Sequence, residues 1–253
     1  MLLVLCMALT LCSAAFAEGK SPVDGMTVAF IPKVSGNSFF EAANDGAQKY
    51  AADWGLTVDY IGAPTADVTT QLELIQQAID KGVDAICISS VDATGLDEKL
   101  QEAQDAGIYV STWDSDVSPN ARALMVSQGT ADVLGPMLVE MAVDSLKERG
   151  VDVNGEVKYV WHFSNPSVSD QNSWYVAGDA YIKEKYPTWV AVHDPYYSNQ
   201  DPAQSVSVGE SILDAYADVD AIICNDSTAL PGQCKAAENK GLTAKDITIT
   251  GFC

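Results

Sequence analysis

The chain has 253 residues, 47% of them apolar, which is material for one large domain or two lobes with a sizeable core. Charged residues make up 19% and the formal net charge is -21. So acidic a surface repels phosphate backbones and anionic headgroups, which argues against nucleic acid and membrane surfaces as partners and leaves an exported or a cytosolic protein.

Residues 1–17, "MLLVLCMALTLCSAAFA", favour export. The uncharged run 2–11 is too short to span a bilayer and suits the apolar core of a secretion signal. Ala15-Phe16-Ala17 supplies the small residues of a signal peptidase site, with Glu18 as the mature start. No lysine or arginine precedes the run, which points to a start codon further upstream. Cys6 and Cys12 each follow a leucine where lipoprotein signals place a small residue, which argues against a lipid anchor. The expected location is the periplasm or the outer face of the cytoplasmic membrane.

Short apolar or β-branched runs follow at 27–32, 56–60, 84–89, 108–112, 156–162, 190–193, 221–224 and 247–251. Amphipathic stretches of helical period separate most of them. In "TTQLELIQQAIDKGVDAICIS", Leu72, Ile75, Ala78 and Ile79 share one helical face, Gly82 stops the helix and the next strand begins at once. Around 122–155 the rhythm changes: a short run "RALMVSQ", a long helical pattern over 131–149 and the polar turn "GVDVNGEV". This marks a passage from an N-terminal lobe, 18–127, to a C-terminal lobe, 128–253. Strand-helix alternation of this kind specifies an α/β protein with parallel sheets flanked by helices.

In open parallel sheets, ligands bind beyond the carboxyl ends of the strands. The segments there read "PKVSGNSFF", "WDSD", "HFSNPSVSDQNSW" and "NDSTALPG". They bring Lys33, Asp114, Asp116, Asp170, Gln171, Asn172, Asn225, Asp226 and Ser227 toward an interlobe cleft, with Phe39, Phe40, Trp113 and Trp174 beside them. A carboxylate accepts from two adjacent hydroxyls, amides offer donor and acceptor, lysine donates to a ring or carbonyl oxygen, and aromatic faces cover the C–H faces of a sugar. The set fits a small neutral polyol; an anion would ask for arginines, which these segments lack.

Local chemistry allows duller roles for several of these residues. Asp116 reads better as the cap of a turn before Pro119 than as a ligand contact. Asp170 equally suits a helix N-cap with Gln171 as first-turn filler, and Trp113 and Trp174 suit the core. "GNSFFEAANDG" lacks the glycine spacing and lysine of a phosphate loop. Cys87 and Cys224 sit in apolar runs as small hydrophobes, and with Cys234 and Cys253 they match neither a zinc site nor a disulfide framework. His162 and His193 both lie in strand-like runs, no nucleophile motif or metal spacing is present, and no cofactor is expected. Asp114 with Asp170 could form a glycosidase pair. The nearby lysine, however, is expected to lower both carboxyls, which suits hydrogen bonding better than acid catalysis.

The segments "VAFIPKVSGNSFFEAANDGAQ", "STWDSDV", "VSQGTADVLGPMLVEMA", "SVSDQNSW" and "ALPGQCKAAEN" resemble the periplasmic sugar-binding proteins of the ribose-binding type. They are most similar to the branch with the autoinducer-2-binding and rhamnose-binding proteins, over about 27–253. The resemblance implies a type I periplasmic-binding-protein fold of two lobes, expected here as a monomer. It implies a protein that captures a small sugar or autoinducer-2-like polyol and delivers it to an ABC permease; a sensor or chemoreceptor partner is the alternative. A cytoplasmic repressor domain has the same lobes, but the signal segment and the missing helix-turn-helix argue against it. By motif it assigns Lys33, Asp114, Asp170 and Gln171 to the ligand. Where the autoinducer-2 branch reads Pro-Asp-Ala, this chain reads Asn225-Asp226-Ser227, which suits a cargo with more hydroxyls, such as a rhamnose-like hexose or a pentose. The resemblance also implies a return to the first lobe after "ITITGF", whereas the chain stops at Cys253; a shortened chain with two of three crossings and exposed apolar surface on the first lobe is expected.

Overall fold

The computed structural model describes residues 21–252; the signal segment expected at 1–17 and Cys253 lie outside that range. The first sheet is built from β1 (Thr27–Ile31), β2 (Thr57–Tyr60), β3 (Ala85–Ile88), β4 (Tyr109–Trp113) and β5 (Leu124–Val126). Its order is β2-β1-β3-β4-β5, with every pairing parallel. Three helices accompany it: α1 (Ser38–Trp54), α2 (Val68–Lys81) and α3 (Asp97–Asp105). Local sequence sets their limits. Asn37 caps α1 by accepting from Phe39 N at 3.0 Å, and Asp67 caps α2 by accepting from Thr70 N at 2.9 Å. Gly82, at φ 65°, ends α2 in the left-handed conformation that glycine adopts without steric cost.

The two faces of this sheet are covered unequally. Ala29, Ile31, Ile86, Ile88 and Val110 are wholly buried under α2 and α3, packed by Ile75, Ala78, Leu100 and Ala103. On the opposite face Phe40 of α1 meets Trp113 edge-on, and Trp113 stacks on Phe30. Further along that face Tyr109, Leu124 and Val126 are 52%, 50% and 58% exposed, because among the described elements only α1 lies over this side, on the β1–β2 half. Gln71 ties the strand ends that carry the site: its Nε2 donates to Pro32 O and Ser89 O at 3.1 and 2.8 Å, and its Oε1 accepts from Val91 N at 3.0 Å.

The second sheet contains β6 (Lys158–Phe163), β7 (Val190–Ala191), β8 (Tyr196–Tyr197), β9 (Ala221–Cys224) and β10 (Thr248–Gly251). Its order is β10-β9-β6-β7, with β8 also pairing β6, again all parallel. Of the run expected at 190–193 only Val190 and Ala191 form a strand, with His193 in a bend; a second short strand, β8, starts after Asp194 and Pro195, proline having no N–H to give the ladder. Helices α4 (Ala131–Glu148) and α5 (Ser169–Lys185) cover one face, α6 (Pro202–Ala215) and α7 (Ala229–Asn239) the other. Alternation along β6 follows: Tyr159, Trp161 and Phe163 pack toward α4 and α5, Val160 toward α6 and α7.

The chain passes from the first sheet to the second through 127–130, between β5 and α4. Among the described residues this is one crossing where two are expected, because β10 remains in the second sheet and Phe252 still packs on Trp174, with its N donating to Cys224 O. Hydrogen bonds hold the lobes together: Ala93 N to Ser167 O at 2.9 Å, Asp116 N to Ser169 Oγ at 2.9 Å, and Asn37 Nδ2 to Ser227 Oγ at 3.1 Å.

Helices α4 and α5 approach through glycines. A Cβ on Gly135 would lie 2.6 Å from Gly178 N and 2.7 Å from Trp174 O, both backbone atoms that cannot yield without moving α5. Gly135→Ala is therefore expected to lower stability by about 1–3 kcal/mol. Gly46→Ala, in a helical position with nothing within 4 Å, should raise it by about 0.5–1 kcal/mol. Urea midpoints of the two variants check the contrast.

Candidate functional site: a cavity between the lobes

Where the strand ends of both sheets meet, Lys33, Phe39, Phe40, Asp114, Gln128, Leu134, Asp170, Gln171, Trp174, Gln200, Asn225, Asp226, Ser227 and Phe252 enclose a cavity of about 200 Å³. That is below the ~300–1,000 Å³ typical of pockets for drug-sized ligands, and it leaves room for one small ring.

Lys33 follows Pro32 at the end of β1, and its side chain is 2% exposed. Its Nζ stands 2.9 Å from Asp114 Oδ2 and 3.2 Å from both oxygens of Asp170. Asp114 terminates β4 at φ 60°, a left-handed conformation that turns its carboxylate toward Lys33. Ser89 Oγ donates to Asp114 Oδ2 at 2.6 Å, and Gln128 Nε2 donates to Oδ1. Asp170 comes from the other lobe, in the first turn of α5, where the partial positive charge of the helix N-terminus favours a carboxylate; Ser115 Oγ donates to it across the cleft. Position 168 is the cap of α5, so Asp170 is not the N-cap that local sequence also allowed.

One ammonium against two carboxylates fixes the electrostatics. Burial works to lower the Lys33 pKa, but Asp114 and Asp170 outweigh it and hold the ammonium above its ordinary value. For Asp170, burial comes first and the Asp114 charge adds to it; together they overcome Lys33 and Ser115 and push its pKa up to about 6. Lys33 does pull the Asp170 pKa down, as expected, but the net shift is upward, because desolvation in a closed interlobe site together with the Asp114 charge exceeds the attraction of a cation it must share.

The second-lobe wall is a preorganised scaffold. Gln171 Oε1 accepts from Ser164 N at 3.0 Å and its Nε2 donates to Asp226 Oδ2 at 2.7 Å. Asp226 Oδ1 in turn accepts from Thr228 N and Ala229 N at 3.0 and 2.7 Å, holding the start of α7. Burial raises the Asp226 pKa, against these donors. Asn225 Nδ2 donates to Gln171 O at 2.6 Å, while its Oδ1 is buried without a partner among the described residues. Ser227 Oγ accepts from Asn37 of the first lobe.

Of the residues that the sequence brings to the cleft, Asp116, Trp113 and Asn172 stand outside the cavity lining. Asp116 faces Arg122, whose Nε and Nη2 lie at 3.0 and 2.7 Å; against its partial burial, Arg122 and Thr112 hold its pKa down. Trp113 lies behind the wall, stacked on Phe30 at 4.7 Å and near Phe39 at 6.4 Å, and so supports the phenylalanines. Trp174 does line the cavity, edge-on to Phe252. Sequence reasoning missed Gln128, Leu134, Gln200 and Phe252. The carboxyl-end rule applied to β5 and β8 would have found Gln128 and Gln200, but a two-residue strand such as β8 has no periodicity to detect. His162, expected in a strand, is buried on β6; burial lowers its pKa to about 4, so it is neutral at physiological pH, with Gln233 Oε1 3.3 Å from Nδ1. Among the described residues no cluster of His, Cys, Asp or Glu is placed to hold a metal ion.

Comparison with known proteins finds relatives over most of the chain. The periplasmic binding protein domain family matches residues 28–253. An LsrB from Clostridium saccharobutylicum, solved in complex with AI-2, is 60% identical with a TM-score of 0.89, over 90% of this chain and 71% of that one. A solute-binding protein from Clostridium phytofermentas with bound L-rhamnose shares the fold, at 23% identity and TM-score 0.81 over 89% of this chain and 68% of that one. The D-apiose import binding protein of Actinobacillus succinogenes is 26% identical over 97% of this chain and 74% of its own length.

The raised Asp170 makes stability depend on pH with a defined sign. Its unfolded value is about 4, so between about pH 4 and about pH 6 the folded chain holds a proton there that the unfolded chain does not. Its contribution is fully present below about pH 4 and is lost as the pH rises through about 6. Asp170→Asn stands in for the protonated form. Relative to the unsubstituted protein its stability should rise by roughly 2–3 kcal/mol between about pH 4 and about pH 7. Denaturant titrations at both values check this; a difference that does not change with pH excludes Asp170 as the titrating group.

Proposed function

The chain belongs to the periplasmic binding protein domain family, as a solute-binding protein of ABC transporters and not an enzyme, and we propose that its cargo is one autoinducer-2-like polyol or small neutral sugar held between the lobes. The observation that carries this reading is the Lys33–Asp114–Asp170 cluster, assembled from both lobes inside a cavity the size of one small ring. Its net negative charge disfavours anions, its carboxylates accept from adjacent hydroxyls, and its ammonium donates to a ring or carbonyl oxygen. Phe39, Phe40 and Trp174 offer apolar faces to the C–H side of such a ring.

Autoinducer-2 is the first candidate, because the 60%-identical LsrB was solved in complex with it. A sugar with more hydroxyls is the second, favoured by the polar pair Asn225 and Ser227 in the wall. Lys33, Asp114 and Asp170 act as direct contacts. Gln171 and Asp226 face the cargo while bracing each other, and Asn225 and Ser227 complete the second-lobe wall. Contacts from both lobes form together only when the cleft is shut, so cargo shifts the population toward the closed form, which a permease can distinguish from the open one. Members of this family are exported and work with membrane permeases; this chain is read as acting in the periplasm or at the outer face of the cytoplasmic membrane, and as a monomer, since one chain supplies every wall of the cavity.

Titration of the mature chain with autoinducer-2, L-rhamnose, D-ribose and D-arabinose tests the reading by melting temperature and calorimetry. One of them should raise the melting temperature with concentration and bind with a dissociation constant on the order of micromolar, about -8 kcal/mol. Asp170→Ala should abolish that binding and keep a cooperative melt. A cooperative melt that no probe shifts, or unchanged affinity in Asp170→Ala, overturns it.

A further inference from the structure

We propose that Gln200 is a specificity-determining contact whose carboxamide reads a hydroxyl group of the cargo; the inference rests on the polyol reading above. Gln200 is 5% exposed and lines the interlobe cavity, yet its Oε1 is buried with no hydrogen-bond partner among the described residues. Most of the other polar side chains of the wall are engaged. Lys33 binds both Asp114 and Asp170, Gln128 donates to Asp114, Gln171 and Asp226 brace each other, and Ser227 accepts from Asn37. Only Asn225 Oδ1 shares the condition of Gln200 among the cavity side chains. Buried polar atoms in native proteins have partners in the great majority of cases, so two such oxygens on one cavity wall call for donors from what the cavity holds.

The backbone supplies an independent reason. Asn199 and Gln200 have φ of 50° and 56°, two successive residues in the left-handed region that favours glycine. Ser198 N donates to Phe163 O and Ser164 O at 3.0 and 3.1 Å, and Asn199 N donates to Ser164 O at 2.9 Å, so the bend is fastened to the carboxyl end of β6. Ser205 Oγ adds a bond to Ser198 Oγ at 2.9 Å from inside α6, and Asp201, the next residue, caps that helix. Glycine would satisfy this backbone without strain. What glutamine adds is the amide, and strain of this kind is retained where the side chain has a use. An amide is neutral and both donates and accepts, which matches a hydroxyl and neither an anion nor a cation. The cargo thereby needs hydroxyls at two separate places: beside the carboxylates, and against Gln200 and Asn225.

Calorimetric titration with autoinducer-2, L-rhamnose, D-ribose and D-arabinose of the unsubstituted protein, Gln200→Gly, Gln200→Asn and Asp170→Ala separates the outcomes. Gln200→Gly should weaken the bound probe about tenfold while the melting temperature of the unliganded protein stays the same or rises, a combination that a purely structural role cannot produce. Gln200→Asn, which tolerates the left-handed bend but withdraws the amide by one methylene, should weaken it in the same direction. Affinity within about twofold of the unsubstituted protein in both variants, alongside loss of binding in Asp170→Ala, overturns the role of Gln200 alone. If the unsubstituted protein binds none of the four probes, the polyol reading and this inference fall together.

Discussion

A single ammonium, Lys33 Nζ, stands between carboxylates supplied by different lobes, and the site depends on that contact. Removing one partner of a buried ion pair leaves the other charge uncompensated at a cost of about 3–5 kcal/mol, whereas the neutral bonds between lobes are each worth about 1 kcal/mol net. The cluster is also short of one positive charge. Two carboxylates share Lys33, and the surplus is absorbed by hydroxyl and amide donors from Ser89, Ser115 and Gln128 and by the raised pKa of Asp170. Hydroxyls of a polyol supply the same kind of donor, which is why a net-negative buried cluster suits a neutral cargo.

The walls around this cluster divide the work of preorganisation. On the first lobe Gln71 ties the ends of β1 and β3, and the stacked Phe30 and Trp113 support Phe39 and Phe40. On the second, Gln171 and Asp226 lock the loop after β6 to the start of α7. Fixing these side chains before ligand arrives reduces the ordering entropy that binding must overcome. The short passage at 127–130 and the interlobe bonds lie outside both hydrophobic cores, so breaking those bonds disturbs neither.

Elements with strong local signals were legible in the sequence. Leu72, Ile75, Ala78 and Ile79 marked the buried face of α2, Gly82 its end, and the apolar runs marked most strands, so the α/β class and the carboxyl-end placement of Lys33, Asp114, Asp170 and Asn225 followed from periodicity and punctuation. Weak or competing local signals were not. β8 is two residues long and hid Gln200; Trp113 has the chemistry of a sugar platform but stacks on Phe30 behind the cavity wall; Asp116 has the same chemistry as Asp114, two residues away, but turns to Arg122.

The sequence by itself determined which residues stand at the strand ends, because strand and helix periods are local properties of a few adjacent side chains. Only the tertiary structure decided which of them meet. Lys33 and Asp170 are 137 positions apart, and their contact exists only once two separately packed lobes close on each other. The sign of the shift at Asp170 was decided there too: sequence shows a lysine that should lower it, and only the folded site shows how completely water is excluded and that Asp114 shares the same cation.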